Sequence, residues 1–367
     1  MDYKRLGKYI REVNVRNKDL KVTNLQGVSI SKQFIPSIAN TIGTDMSTYK
    51  VVNPGQFAYG PVTSRNGDKV SIALYKGDDD AIISQAYTVF EVVDMDKMSS
   101  DYLMMWFQRP EFDRYARFHS HGSAREIFDW DELCGVYLPL PDIDRQREIV
   151  EEYETLSRRI RLNEQMIEKL EATAQALYRK MFVDGIDKEN LPEGWRMGIL
   201  SEVAILKAGG DKPTEFSEVK TELFNVPIYA NGIENKGIFG YTTRPVIKAK
   251  SITISARGTI GYCFLRKEPY VPIVRLIVVA PHDEVMAQYL YHYLDSSNIK
   301  GSGSVQSQLT VPDMEGMDIL IPPLQSVKDF NNRVEIMDKS ISIYEQENSK
   351  LSELQSLLLA KMGNLKQ

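Results

Sequence analysis

Gly122-Ser123 and Gly303-Ser304 stand 181 residues apart, and almost everything that follows the first pair follows the second at the same step. Leu133 falls on Met314, Leu138 on Ile319, Leu140 on Ile321 and Pro141 on Pro322, and the register runs on without a gap to Lys180-Met181 and Lys361-Met362. Upstream the match loosens: Tyr102-Leu103 aligns with Tyr289-Leu290 at a step of 187, so the first copy carries about six extra residues there. A chain repeated on this scale builds two related structural units, each with its own core. Its 367 residues suffice for both.

Each copy ends in a long helix. After Pro141, DIDRQREIVEEYETLSRRIRLNEQMIEKLEATAQALYRKMF contains strong helix formers and neither Gly nor Pro, which predicts one helix from about Asp142 to Phe182. Its length would be about 60 Å. Ile149, Tyr153, Leu156, Ile160, Asn163, Ile167, Leu170, Ala174, Leu177 and Met181 recur at alternating steps of four and three, a heptad seam. The second copy repeats the seam from Phe330 to Met362. An Asn lies inside each, and burying an amide alone is costly. If the helices pair antiparallel with Ile149 facing Met362, paired positions add to 511 and Asn163 falls opposite Asn348. That amide pair would fix orientation. The other arrangement is two separate amphipathic helices, each packed on its own domain.

The segments ahead of the helices are mixed. In the first, VTNLQGVSI, GQFAYGPVT, KVSIALY and AYTVFEVVD read as strands and SSDYLMMWFQRPEFDRYARF as a helix. In the second, NVPIYANG, SITISARGTIGYCFL and VPIVRLIVVAP read as strands and DEVMAQYLYHYLD as a helix. The expected organisation is an α+β domain over 1–141, a helix over 142–185, a second α+β domain over 186–322 and a second helix over 323–367. Both domains should carry mixed, largely antiparallel sheets, separated by an antiparallel coiled coil of the two helices, with an internal pseudo-twofold repeat.

Charge is informative only locally. Lys and Arg total 45 against 50 Asp and Glu, a net charge of -5, which taken whole argues against a nucleic-acid coat. Yet the first forty residues hold eight basic side chains against three acidic, and Tyr241 to Glu268 holds six against one. Local basic surfaces bind phosphate whatever the total. Cys134 and Cys263 form no metal or disulfide pattern, and no stretch reaches the roughly 18 apolar residues of a membrane span. A reducing, cytoplasmic setting is therefore expected. Phosphate-binding, dinucleotide and nucleophile-elbow motifs are absent. His119 and His121 flank Ser120 just before the first Gly-Ser pair, but the second copy has Lys300 and Ser302 there, which argues against a duplicated metal or acid-base site.

The combined pattern resembles the specificity subunits of type I restriction-modification systems. The opening YKRLGKYIREVNVRNKDLKVT, the mid-chain LPEGWRMGILSEVAILKAGG, the twice-used LPLPDIDRQREIV and LIPPLQSVKDFN, and the heptad helices behind them carry the resemblance. The order domain, helix, domain, helix is its specific part. It implies two target recognition domains on a helical spacer, reading a bipartite double-stranded DNA target. It also implies a chain with no catalytic residues, metal or cofactor of its own, which recruits two modification subunits and restriction subunits. S-adenosylmethionine, ATP and Mg would sit on those partners, and adenine N6 would be the methylated atom. The rival reading of the layout is a non-catalytic coiled-coil scaffold joining two protein-binding modules.

For DNA contact, the small, polar loops into the Gly-Ser pairs supply His119, His121, Ser123, Arg125, Ser304, Gln306 and Gln308. Lys32, Arg65, Asn231, Lys236, Tyr241 and Arg257 are further candidates from strand loops. Arg and Gln in such loops suit bidentate contact with base edges.

Overall fold

The structure, a computed structural model, describes residues 3–37, 43–64, 67, 69–122, 126–297, 299 and 308–363. The chain divides into two compact units, Met1–Asn163 with Glu345–Gln367 and Glu164–Tyr344. Each unit therefore holds one half of each long helix.

The first unit contains β1 (Tyr3–Arg5), β2 (Ile10–Val13), β3 (Gln26–Val28), β4 (Phe34–Pro36), β5 (Lys50–Val52), β6 (Phe57–Tyr59), β7 (Ile72–Leu74), β8 (Ala81–Ile83) and β9 (Thr88–Val92). Helices α1 (Ser100–Gln108), α2 (Pro110–Phe118) and α3 (Trp130–Gly135) and strand β10 (Tyr137–Pro139) follow. The main sheet is antiparallel in the order β2-β9-β6-β7, with β1-β10, β3-β4 and β5-β8 as separate pairs. Phe57 and Phe90 stack at 4.8 Å in the core, with Phe107 of α1 edge-on to Phe57 at 5.9 Å. The segment read as one helix is two. Arg109 precedes Pro110, whose ring disfavours helical geometry at the residue before it, so Arg109 turns extended (φ -68°, ψ 135°). Pro110 then opens α2 at a first-turn position that needs no N–H.

The second unit contains β11 (Arg196–Ile199), β12 (Ala204–Ala208), β13 (Val226–Tyr229), β14 (Ile238–Thr242), β15 (Ser251–Ile254), β16 (Cys263–Arg266), β17 (Val271–Pro272) and β18 (Ile277–Pro281). Helices α5 (Ala287–Ser296) and α6 (Val311–Glu315) and strand β19 (Asp318–Ile321) come before the last long helix. The main sheet runs β12-β18-β15-β16, the same pattern as in the first unit, beside a three-stranded β14-β13-β17. Only β13-β17 pairs parallel among the described strands. SITISARGTIGYCFL is a hairpin, β15 and β16 joined by a loop with Gly258 and Gly261 at positive φ. VPIVRLIVVAP breaks at Val274-Arg275, both left-handed, into β17 and β18.

The repeat is visible in single bonds. The Tyr102 hydroxyl donates to the Pro139 carbonyl at 2.9 Å, and the Tyr289 hydroxyl donates to the Leu320 carbonyl. Each tyrosine locks its helix to the strand that leads into a long helix.

The long helices are α4 (Ile143–Phe182) and α7 (Leu324–Met362), and they pack antiparallel. In the first unit Ile149 shares the core with Leu359 and Met362. In the second, Ala174, Tyr178 and Phe182 share theirs with Val327, Phe330 and Val334. Asn163 is buried, 2% exposed, and its Nδ2 donates to Asn348 Oδ1 at 2.8 Å and to Glu347 Oε2 at 3.0 Å. Arg159 forks onto the same Glu347 at 2.9 and 3.0 Å. Its guanidinium holds that carboxyl below the usual carboxylate range. Gln355 Nε2 donates to Ser157 Oγ at 2.7 Å one stage further along.

Candidate functional site

In both units the return segment after the helical layer docks on the hairpin loop of the main sheet. In the first unit the Phe128 N–H donates to the Pro61 carbonyl at 2.9 Å, and Thr63 N–H to the Glu126 carbonyl at 3.0 Å. In the second the Leu309 N–H donates to the Ala256 carbonyl at 2.9 Å. Phe128 and Leu309 are 181 residues apart, so the repeat preserves this junction. The junctions bring the loops before β10 and β19 beside the β6-β7 and β15-β16 loops.

At the second junction the structure joins two residues singled out by sequence. Arg257 is exposed on the β15-β16 loop, and its Nε and Nη2 both donate to Gln308 Oε1, at 3.0 and 2.7 Å. Among the described residues no carboxylate is paired with Arg257. Asn231 works underneath. Its Oδ1 accepts from the Ala256 N–H at 2.7 Å and its Nδ2 donates to the Val274 carbonyl at 2.9 Å. Both ends of the amide are committed to main chain, so this candidate ties three loops together and does not present its side chain to a ligand.

Sequence reasoning missed what holds the fourth loop. Arg266 looks like part of the basic surface of 241–268, yet it is 5% exposed and stacks on Tyr229 with its guanidinium carbon 3.5 Å from the ring centroid. Its Nη2 donates to the Lys236 carbonyl at 2.6 Å and its Nε to Thr253 Oγ1 at 2.9 Å. Burial pushes its pKa down. Lys236 itself is exposed and left-handed, φ 55°, next to Asn235 at 48°. Among the described residues six other than glycine have positive φ, and four of them are Asn235, Lys236, Val274 and Arg275. Such backbone persists only where the surroundings enforce it, and it gathers at functional loops. Arg275, exposed at its turn, joins Lys236 and Arg257 as basic side chains of the tied loops. Tyr241 lies further along, half-buried in β14, with its main chain bonded to Ser217.

The first junction differs. His119 Nδ1 lies 3.1 Å from Glu132 Oε2 and His121 Nε2 lies 3.7 Å from Glu132 Oε1. His119 also lies against the Tyr115 ring at 4.2 Å, and Phe118 beside it is 81% exposed. Thr63 Oγ1 donates to Ser120 Oγ at 2.9 Å, fastening the loop to the hairpin. Arg65, Ser123, Arg125, Ser304 and Gln306 lie outside the described residues.

Lys32 is corrected. It is 7% exposed, its Nζ sits 2.8 Å from Asp113 Oδ1 and also donates to the Phe107 carbonyl. Burial pushes its pKa down while Asp113 opposes that. Its charge is spent inside the first unit and is not available to a phosphate.

Among the described residues no group of His, Cys, Asp and Glu is arranged to hold a metal ion, and no helix is long and apolar enough to cross a membrane. Residues 192–355 match the family model of the type I restriction modification DNA specificity domain. A type I specificity subunit of Mycoplasma pneumoniae is 32% identical over 42% of this chain and 46% of its own length. The chain thus spans about half the length of that curated relative. The HindI specificity subunit of Haemophilus influenzae is 20% identical over 86% of this chain and 87% of that one. The crystal structure of the S subunit from M. genitalium covers all of this chain and 96% of its own, with TM-score 0.57 and 14% identity, a likeness of fold. The matched domain over residues 192–355, the alignments and the shared fold make this chain similar to the specificity subunits of type I restriction-modification systems.

Proposed function

We propose that this chain is the non-catalytic DNA-reading subunit of a type I restriction-modification complex, with each unit reading one half of a bipartite duplex target. The single observation that carries this reading is the duplicated junction of hairpin loop and return segment. It presents the exposed Arg257 beside the half-buried Gln308 in one unit and exposed His121 and Phe118 near the equivalent place in the other. Different side chains on one repeated frame suit two different half-sites. Type I specificity subunits are generally DNA-recognition components, and the chemistry would belong to the subunits they recruit. Those partners would be two methyltransferase subunits, carrying S-adenosylmethionine, and ATP- and Mg-dependent restriction subunits. Leu162 and Ile343, again 181 residues apart, are 50% and 63% exposed on α4 and α7 and give two equivalent apolar positions for two copies of one partner.

Methylation sequencing of cells with and without the gene tests the reading. Loss of N6-methyladenine at one bipartite motif is expected. Unchanged methylation in a cell whose methyltransferase subunit is expressed would favour the scaffold that joins two protein-binding modules.

A further inference from the structure

An arginine recognises guanine by offering two parallel N–H donors to O6 and N7 in the major groove. The guanidinium has two edges able to do this, the side edge of Nε and one terminal nitrogen and the end edge of the two terminal nitrogens. In Arg257 the side edge is already used, because Nε and Nη2 converge on Gln308 Oε1. On this exposed side chain the end edge has no partner among the described residues. Gln308 is neutral, so it fixes the plane of the guanidinium without cancelling its charge, as a carboxylate would. The platform is rigid. Ala256, the residue before Arg257, receives the Asn231 carbonyl on its N–H and the Leu309 N–H on its carbonyl. Preorganisation of this kind lowers the ordering cost of binding a long side chain.

We propose that Arg257 reads a guanine in the half-site of the second unit through its end edge, with Gln308 as the positioning residue that sets its orientation. This rests on the chain being a DNA-reading subunit. Among the described residues the first unit shows no copy of the device: the position equivalent to Gln308 is Ile127, whose main chain bonds to that of His121.

The test uses the full chain in complex with its methyltransferase subunits, on duplexes carrying the methylated motif. Replacing the proposed guanine by 7-deazaguanine removes the N7 acceptor. Wild-type binding should fall about tenfold or more, while Arg257→Ala should bind both duplexes alike. In cells Arg257→Ala should relax the motif at that one position and leave the other half-site intact. Gln308→Ala should weaken the guanine preference, and Gln308→Glu, which restores the acceptor, should recover the preference while overall affinity stays lower because the carboxylate cancels the guanidinium charge. An Arg257→Ala complex that binds every sequence equally more weakly, with the 7-deazaguanine effect intact, would make Arg257 a phosphate contact and overturn the proposal. A wild-type motif with no guanine would overturn it too, while leaving the DNA-reading function in place. Absence of any motif dependent on the gene would instead overturn that function, and the proposal with it.

Discussion

Two charged residues of the first and second units show how little a side chain's type says about its task. Lys32 and Arg266 both look like members of a basic surface, and both are buried. Removing one partner of a buried ion pair leaves the other charge uncompensated, at a cost of about 3–5 kcal/mol. Lys32→Ala should therefore lower stability by about that amount in urea unfolding and leave the methylated motif unchanged; a stable variant with a relaxed motif would return Lys32 to the reading surface. His292 offers a pH test. It is 4% exposed, bonded through Nδ1 to Gln175 Oε1 at 2.7 Å, and burial pushes its pKa down to about 4. The fold requires the neutral ring, whereas an unfolded His protonates near 6.5. Its contribution is complete above pH 6.5 and is lost as pH falls toward 4, about 3 kcal/mol in all. His292→Leu should flatten the stability curve in that window relative to the parent, and parallel curves would contradict this. Neither burial was legible in the sequence. Lys32 is buried because α2 places Asp113 against it, and Arg266 because Tyr229 and the Lys236 carbonyl come to it from distant segments.

At the scale of elements, periodicity was the reliable guide. The alternation of four and three from Ile149 to Met181 marks a helix that runs Ile143–Phe182, and the amide placement implied by pairing positions that add to 511 is where Asn163 and Asn348 meet at 2.8 Å. Glu347 was not anticipated. It accepts from both Asn163 and Arg159, so the buried amide is served by a carboxylate as well as by its mate. Asn163→Leu, Asn348→Leu and the double variant should show a coupling of about 1 kcal/mol in thermal or urea unfolding, and strictly additive losses would deny the contact. Breaks inside apolar runs were the illegible part. VPIVRLIVVAP alternates like one strand, and only the hydrogen bonds of Val274 and Arg275 to Gly210 and Gly209 reveal a left-handed turn there. These breaks carry Arg275 and Arg257, so the illegible turns and the candidate site coincide.

For the whole molecule the repeat explains how an acidic chain can present basic loops. Net charge of -5 is a sum over surfaces with different work, and the exposed Lys236, Arg257 and Arg275 of one loop cluster are unaffected by carboxylates on distant helix faces at ordinary ionic strength. The two units share a sheet order and a junction but not the residues on it, and under the proposed function one chain would carry two independent specificities. The measurement that tests this most directly is the methylome of cells expressing a chain in which residues 186–322 are replaced by a second copy of residues 1–141. The account predicts a methylated motif in which the first half-site occurs twice and the second is gone. Retention of the original motif by that chain would contradict it.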